Sequence, residues 1–209
     1  MTPPFSSFAV QRANNLLRPP ATLSQDGADC PGVLALARVC GRLVEVSEAA
    51  SFGALSALCP LLEEVQAKGE LVAWVESGAS VFFPPDLQAR GLDVEAIPVV
   101  WAPNTKAALQ AADWLLRSGA FALVVLDGTT GTVDESVLGR LARLAAEHEA
   151  TILFLTRKSP LDASLGALVS LRISVCKSLQ GTELRVVKDK RSGPLSVQRI
   201  SLDGPLGLY

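Results

Sequence analysis

The chain has a single histidine, His148, and four cysteines, Cys30, Cys40, Cys59 and Cys176, with no Cys-x-x-Cys spacing among them. That scarcity argues against the common zinc arrangements, which draw on closely spaced thiolates and imidazoles, and no metal site is expected. Long apolar runs are also lacking. No segment approaches the roughly 20 residues that cross a bilayer, so no membrane association is expected. The start, MTPPFSSFAVQRANN, has neither the basic opening nor the unbroken apolar stretch of a signal peptide. A cytoplasmic chain with reduced thiols is the expectation. Charged residues make up only 19% against 49% hydrophobic, which argues against a disordered or coiled-coil chain, and 209 residues suffice for one substantial core.

The net charge of −2 conceals a gradient: residues 1–150 carry 10 basic and 17 acidic side chains, residues 151–209 carry 9 and 4. The C-terminal excess reads either as a basic face for DNA or an acidic partner protein, or as a solvated sheet edge protected by lysines and arginines.

Residues 1–32, rich in proline, glycine, serine and asparagine, read as an arm or linker, 33–203 as the folded domain and 204–209 as an apolar tail. Short β-rich apolar runs at 43–46, 71–76, 96–100, 121–126 and 151–156 alternate with helical periodicity at 51–68, 105–118 and 134–149. Strands without polar alternation, separated by amphipathic helices, require a mostly parallel sheet covered on both faces, so the class is α/β. After residue 156 the long helices stop. Runs at 169–176, 183–188 and 196–202, with the turn signals Gln180-Gly181 and Ser192-Gly193-Pro194, predict a C-terminal antiparallel extension.

The most informative stretch is Gly41-Arg42-Leu43-Val44-Glu45-Val46, followed by Ser47-Glu48-Ala49-Ala50-Ser51-Phe52-Gly53-Ala54-Leu55. This strand, loop and helix resemble the phosphate-loop unit of the RecA family. A working loop needs glycines whose N–H groups wrap the phosphates, a lysine to neutralise them and a hydroxyl for magnesium. Aligned on Gly53, the first glycine is Glu48, the lysine Ala54 and the hydroxyl residue Leu55. A carboxylate about 4 Å from a phosphate charge costs on the order of 4 kcal/mol at intermediate dielectric. Nucleotide binding at this loop is not expected. The loop is expected to cap a helix through Ser47 or Ser51.

The rest of the resemblance points the same way. Phe121-Ala122-Leu123-Val124-Val125-Leu126-Asp127 resembles a Walker B strand, leaving Asp127 as a vestigial magnesium carboxylate. The family's water-activating glutamate falls at Gly78, with Glu76 as the alternative under a one-step shift, and its γ-phosphate-sensing amide falls at Thr156. Joint loss implies a chain that is not an enzyme and holds no cofactor. The segments after Asp127 and after Arg157-Lys158 look shorter than the family's DNA-holding loops. Arg157, Lys158, Arg172, Lys177, Arg185 and Arg191 offer a positive track, but no aromatic residue interleaves them, which implies weak, salt-sensitive DNA contact.

Gly181-Thr182-Glu183-Leu184-Arg185-Val186-Val187-Lys188-Asp189-Lys190 also resembles a late RecA strand, whose lysines, here Lys188 and Lys190, reach a neighbouring protomer's nucleotide in the family's filaments. A hairpin with exposed charges is the simpler reading. Trp74-Val75-Glu76-Ser77-Gly78, Phe83-Pro84-Pro85-Asp86-Leu87 and Gly91-Leu92-Asp93 look most similar to the ImuA group of RecA-like accessory proteins. That resemblance implies a non-catalytic adaptor of SOS-induced translesion DNA synthesis, contacting the Y-family-like protein ImuB and RecA, and indirectly an error-prone DNA polymerase. Phe5 and Phe8 in the arm, and the tail, are the candidate contact segments. The alternative is a division inhibitor resembling SulA and acting on FtsZ, which the retained C-terminal hairpin disfavours.

Overall fold

A computed structural model describes residues 32–49, 53–78, 82–178, 181–193 and 197–200. Phe5, Phe8, Cys30, the expected cap Ser51 and the tail lie outside the described residues. In chain order the elements are α1 (Leu36–Val39), β1 (Leu43–Glu48), α2 (Ala54–Ala67), β2 (Leu71–Glu76), α3 (Pro84–Ala89), β3 (Val99–Trp101), α4 (Thr105–Arg117), β4 (Phe121–Asp127), α5 (Glu135–Glu147), β5 (Thr151–Arg157), β6 (Leu171–Ser178), β7 (Gly181–Asp189) and β8 (Val197–Ile200). The strands form one sheet in the order β3-β2-β4-β5-β1-β6-β7-β8. It is the expected mostly parallel α/β sheet with a C-terminal antiparallel extension. No helix among the described residues is long and apolar enough to cross a membrane.

The antiparallel extension begins one strand later than expected. β6 pairs parallel with β1, from Val44 opposite Leu171 to Glu48 opposite Val175, and only β7 and β8 reverse direction. The reason is the connection: 13 residues, 158–170, separate β5 from β6. That length lets the chain pass β1 and re-enter the sheet in the same sense, whereas a tight hairpin joins antiparallel neighbours. Two short helices were not read from the sequence. Pro84 and Pro85 supply the first positions of α3, where their missing N–H groups cost nothing.

The layers follow the residue periodicities. Val44 and Val46 face α1, α2 and α3 with Val72, Trp74, Leu123 and Leu153. Leu43 faces α4 and α5 with Val75, Val124, Ile152 and Phe154. β1 is thus buried along its whole length, with helices or chain on both sides. Asn104 starts α4 by accepting a hydrogen bond from the Ala107 N–H at 2.9 Å.

Three charged residues, Arg42, Glu45 and Glu48, interrupt the apolar sequence of β1 and its approach, and Arg42 is consumed internally. Arg42, 3% exposed, donates from Nη2 to Asp189 Oδ1 at 2.7 Å and to the Ser170 carbonyl at 2.8 Å, and from Nε to Ser170 Oγ at 2.8 Å. Arg38 Nη2 reaches the other Asp189 oxygen at 3.0 Å. Burial opposes ionisation of Asp189, but hydrogen bonds from Arg42, the Arg191 N–H and Arg38 prevail and hold its carboxyl well below the usual carboxylate range. Its folded pKa being depressed, Asp189 contributes stability that is present above about pH 4, the ordinary carboxylate value, and is lost as pH falls below it. Asp189→Asn should cost about 3 kcal/mol at neutral pH by urea unfolding, because it strands two cations. The difference between variant and wild type should shrink below about pH 4.

Candidate functional site

The carboxyl ends of β1, β2, β4 and β5 open into a cleft of about 380 Å3. Its walls include Glu48 and Ala54 where β1 passes to α2, Ser77 and Gly78 after β2, residues 127–131 after β4, residues 155–158 at the end of β5, and Asn104 and Thr105 at the start of α4. Ligands in open parallel sheets bind outside the carboxyl ends of the strands, so this is where a functional site would sit.

Glu48 decides the chemistry of the cleft. It is 6% exposed, and its Oε2 accepts hydrogen bonds from the backbone N–H groups of both Gly53 and Ala54, each at 3.0 Å. The start of α2 therefore faces an anion belonging to the chain itself, which takes up two of its N–H groups and lies at the positive end of its dipole. Of the two expected caps, Ser51 lies outside the described residues and Ser47 is corrected: it donates from Oγ to the Ile173 carbonyl of β6 at 3.3 Å. Gly53 has a packing role here. A Cβ at that position would lie 3.2 Å from Val175 Cγ1 and 3.3 Å from Lys177 Cβ, so β6 approaches closely enough that any other residue would push these neighbours back by a few tenths of an ångström. Ala54 and Leu55 are buried in the core of α2, where neither lysine nor a magnesium-binding hydroxyl would fit without desolvation.

Asp127 lies at the floor, 2% exposed, with Oδ2 accepting from Trp74 Nε1 at 3.3 Å. Thr129, also 2% exposed, presents an Oγ1 with no hydrogen-bond partner among the described residues. Gly78 lines the cleft with φ +97°, a conformation suited to glycine. Glu76 does not join it: its Oε2 accepts from Trp101 Nε1 at 3.1 Å at the edge of the sheet. Thr156 donates from Oγ1 to Glu45 Oε1 at 3.1 Å and so faces inward.

Glu45 is the residue that sequence reading passed over, noted only as part of the Gly41–Glu45 strand pattern. With no exposed surface, it accepts from Thr156, from Ser164 Oγ at 2.7 Å and from the Leu165 N–H at 3.0 Å. Lys158 Nζ and Arg172 Nε lie 3.5 and 3.8 Å from its oxygens. A glutamate inside an otherwise apolar central strand was the available signal, since such a charge must find partners.

The expected positive track is only partly present. Arg172 is corrected outright: 2% exposed, it donates to the carbonyls of Asp162 and Ser159, the latter at 2.9 Å, and braces the segment after β5. Lys158 lines the cleft but is drawn inward to Glu45 and the Ala163 carbonyl. Lys188 is half-buried and donates to the Ala167 carbonyl at 3.3 Å, with burial and the neighbouring Lys190 lowering its pKa. Arg185 is exposed 3.5 Å from Glu183. Arg157, Lys177, Lys190 and Arg191 are exposed, with Arg157 at the mouth of the cleft beside Glu48 in strand register.

No family model matches the chain. It is 27% identical to protein RecA of Kineococcus radiotolerans over 157 residues, covering 68% of this chain and 44% of that protein. The corresponding values for RecA of Corynebacterium jeikeium are 28% over 156 residues, 68% and 41%. RecA of Picosynechococcus is 32% identical over 96 residues, 46% of this chain and 27% of the relative. The relationship is RecA-like. The chain spans less than half the length of these curated relatives.

Glu48→Ala should lower stability by about 1 to 2 kcal/mol in urea unfolding, the scale of a lost helix cap. Glu48→Gln, which retains an acceptor oxygen but no charge, should lie between wild type and alanine.

Proposed function

We propose that this chain is a non-catalytic RecA-like adaptor that acts through protein contacts in SOS-induced translesion DNA synthesis. The observation that carries the reading is the Glu48 carboxylate on the Gly53 and Ala54 N–H groups. Phosphate-binding loops work by offering those N–H groups and the helix dipole to a polyphosphate. An internal carboxylate in the same place both occupies the donors and repels the ligand, with no lysine at Ala54 to offset it. Thr156, turned into the Glu45 network, offers nothing to a γ-phosphate.

A RecA-like scaffold without nucleotide chemistry retains its surfaces. The partners supported by the resemblance to the ImuA group are an ImuB-like Y-family protein and RecA, with an error-prone polymerase reached indirectly. Lys190, exposed after β7, is the residue best disposed to reach into a docked RecA, whereas half-buried Lys188 would first have to leave the Ala167 carbonyl. Arg157, Lys177, Arg185 and Arg191 would add a weak, salt-sensitive attraction to DNA in the same complex.

Two measurements test the reading. Calorimetric titration with ATP and magnesium should show no micromolar binding; a site of that affinity, lost on Asp127→Ala, would replace the adaptor with an ATPase of unconventional loop. The intact protein should be retained by immobilised ImuB or RecA, and failure to bind ImuB, RecA and the polymerase alike would end the adaptor reading.

A further inference from the structure

Two of the chain's tryptophans lie at the surface, and Trp114 on α4 is 71% exposed while Trp74 is fully buried. A single exposed aromatic is ordinary; the surroundings of this one are not. Lys106, Gln110 and Arg117, eight and four residues before it and three after, fall on the same side of α4 and are all exposed. Asp113, 7% exposed, lies immediately before it at the junction with α5. One Asp113 oxygen receives Arg117 Nε at 2.7 Å, and the other lies 2.7 Å from Arg140 Nε of α5.

That shared carboxylate is what makes the patch a built arrangement. Exposed arginines ordinarily lose entropy when fixed and contribute little. Here one buried anion holds two guanidiniums, Arg117 by a hydrogen bond from Nε and Arg140 by an ion pair, while the two side chains stay 53% and 46% exposed. Arg143, one turn beyond Arg140, is exposed 3.7 Å from Glu147. Four cations against the two carboxylates Asp113 and Glu147 leave the face positive. No other large apolar side chain of α4 or α5 is exposed among the described residues.

We propose that this face of α4 and α5 binds single-stranded nucleic acid, with an unpaired base stacked on Trp114 and the flanking phosphates held by Arg117 and Arg140. An indole beside anchored guanidiniums matches a polymer that alternates π-faces with phosphates. A duplex would satisfy the arginines but hide its base faces, leaving Trp114 unused. A protein partner would call for a broader apolar centre than one indole. The site is separate from the cleft and does not depend on the adaptor reading.

The test is fluorescence anisotropy of the full-length protein with a labelled thymidine oligonucleotide about 20 nucleotides long, enough for one binding site, and with a duplex of equal length. Trp114→Ala should weaken single-strand binding on the order of tenfold, and Trp114→Phe should recover most of it. Arg117→Gln with Arg140→Gln should lower affinity and reduce the slope of log K against log salt by about 1.4, as expected for two phosphate contacts. Trp114 is exposed, so its substitutions should leave thermal melting nearly unchanged, whereas the arginine pair also neutralises Asp113, so its variant is titrated well below its own melting temperature. Arg185→Gln with Lys190→Gln, in the hairpin that adds only a weak attraction, should weaken binding less than the Arg117 and Arg140 pair does. Failure of the intact protein to bind, binding indifferent to Trp114→Ala, or binding lost only in the Arg185 and Lys190 variant would each overturn the proposal. A Trp114-dependent complex with a protein in place of the oligonucleotide would overturn it in favour of protein docking.

Discussion

A carboxylate without exposed surface in the middle of a sheet is tolerable only if its charge is matched, and Glu45 is such a group. Its partners come from three places in the chain: Thr156 and Lys158 at the end of β5, Ser164 and Leu165 in the connection, and Arg172 on β6. Satisfying Glu45 therefore fixes where the segment between β5 and β6 can lie. Arg172 extends the constraint by binding the carbonyls of Ser159 and Asp162. At the opposite end of β1, Arg42 ties Ser170 and Asp189 and so sets where β6 begins and β7 ends. The parallel half of the sheet and its antiparallel extension are joined through these two buried charges. Hydrophobic burial alone, which has no preferred direction, would not specify the same register.

The same logic reaches the cleft. At the end of β5 the Thr156 hydroxyl belongs to Glu45. At the start of α2, Glu48 takes the place of a bound anion, and Gly53 and Ala54 donate to it as they would to a phosphate. The two arrangements are alike in that each closes a polar group at the cleft onto a carboxylate of β1. Each also removes an orphaned polar group that an empty loop would leave behind. The cleft keeps a real volume nonetheless, with Asp127 and Thr129 among its walls.

The α/β class was legible because apolar runs and 3.6-residue periodicity report burial directly. Glu48, Ala54 and Leu55 were legible because a phosphate loop has a fixed spacing against which each departure can be read. Less legible were features set by partners distant in sequence. Arg172 reads as a surface cation until the 158–170 segment is folded over it. Ser47 reads as a helix cap until β6 arrives beside β1 and takes its hydroxyl. The sense of β6 was misread because a run ending near a turn signal looks like half of a hairpin, and only the length of the preceding connection distinguishes the two.

Charge counted along the chain is likewise a poor guide to charge presented in space. The C-terminal excess of basic residues is partly spent: Arg172 and Lys158 neutralise Glu45, and Lys188 is half-buried against the Ala167 carbonyl. The acidic majority of residues 1–150 includes Glu45 and Glu48, which are buried and project little field into solvent, and Asp113, which orients two arginines outward. Within the acidic part of the sequence, α4 and α5 can therefore carry a positive surface. A polyanion meeting this protein would respond to the Arg117 and Arg140 pair as well as to the hairpin, because electrostatic attraction follows the exposed charge and its orientation, not its order in the chain.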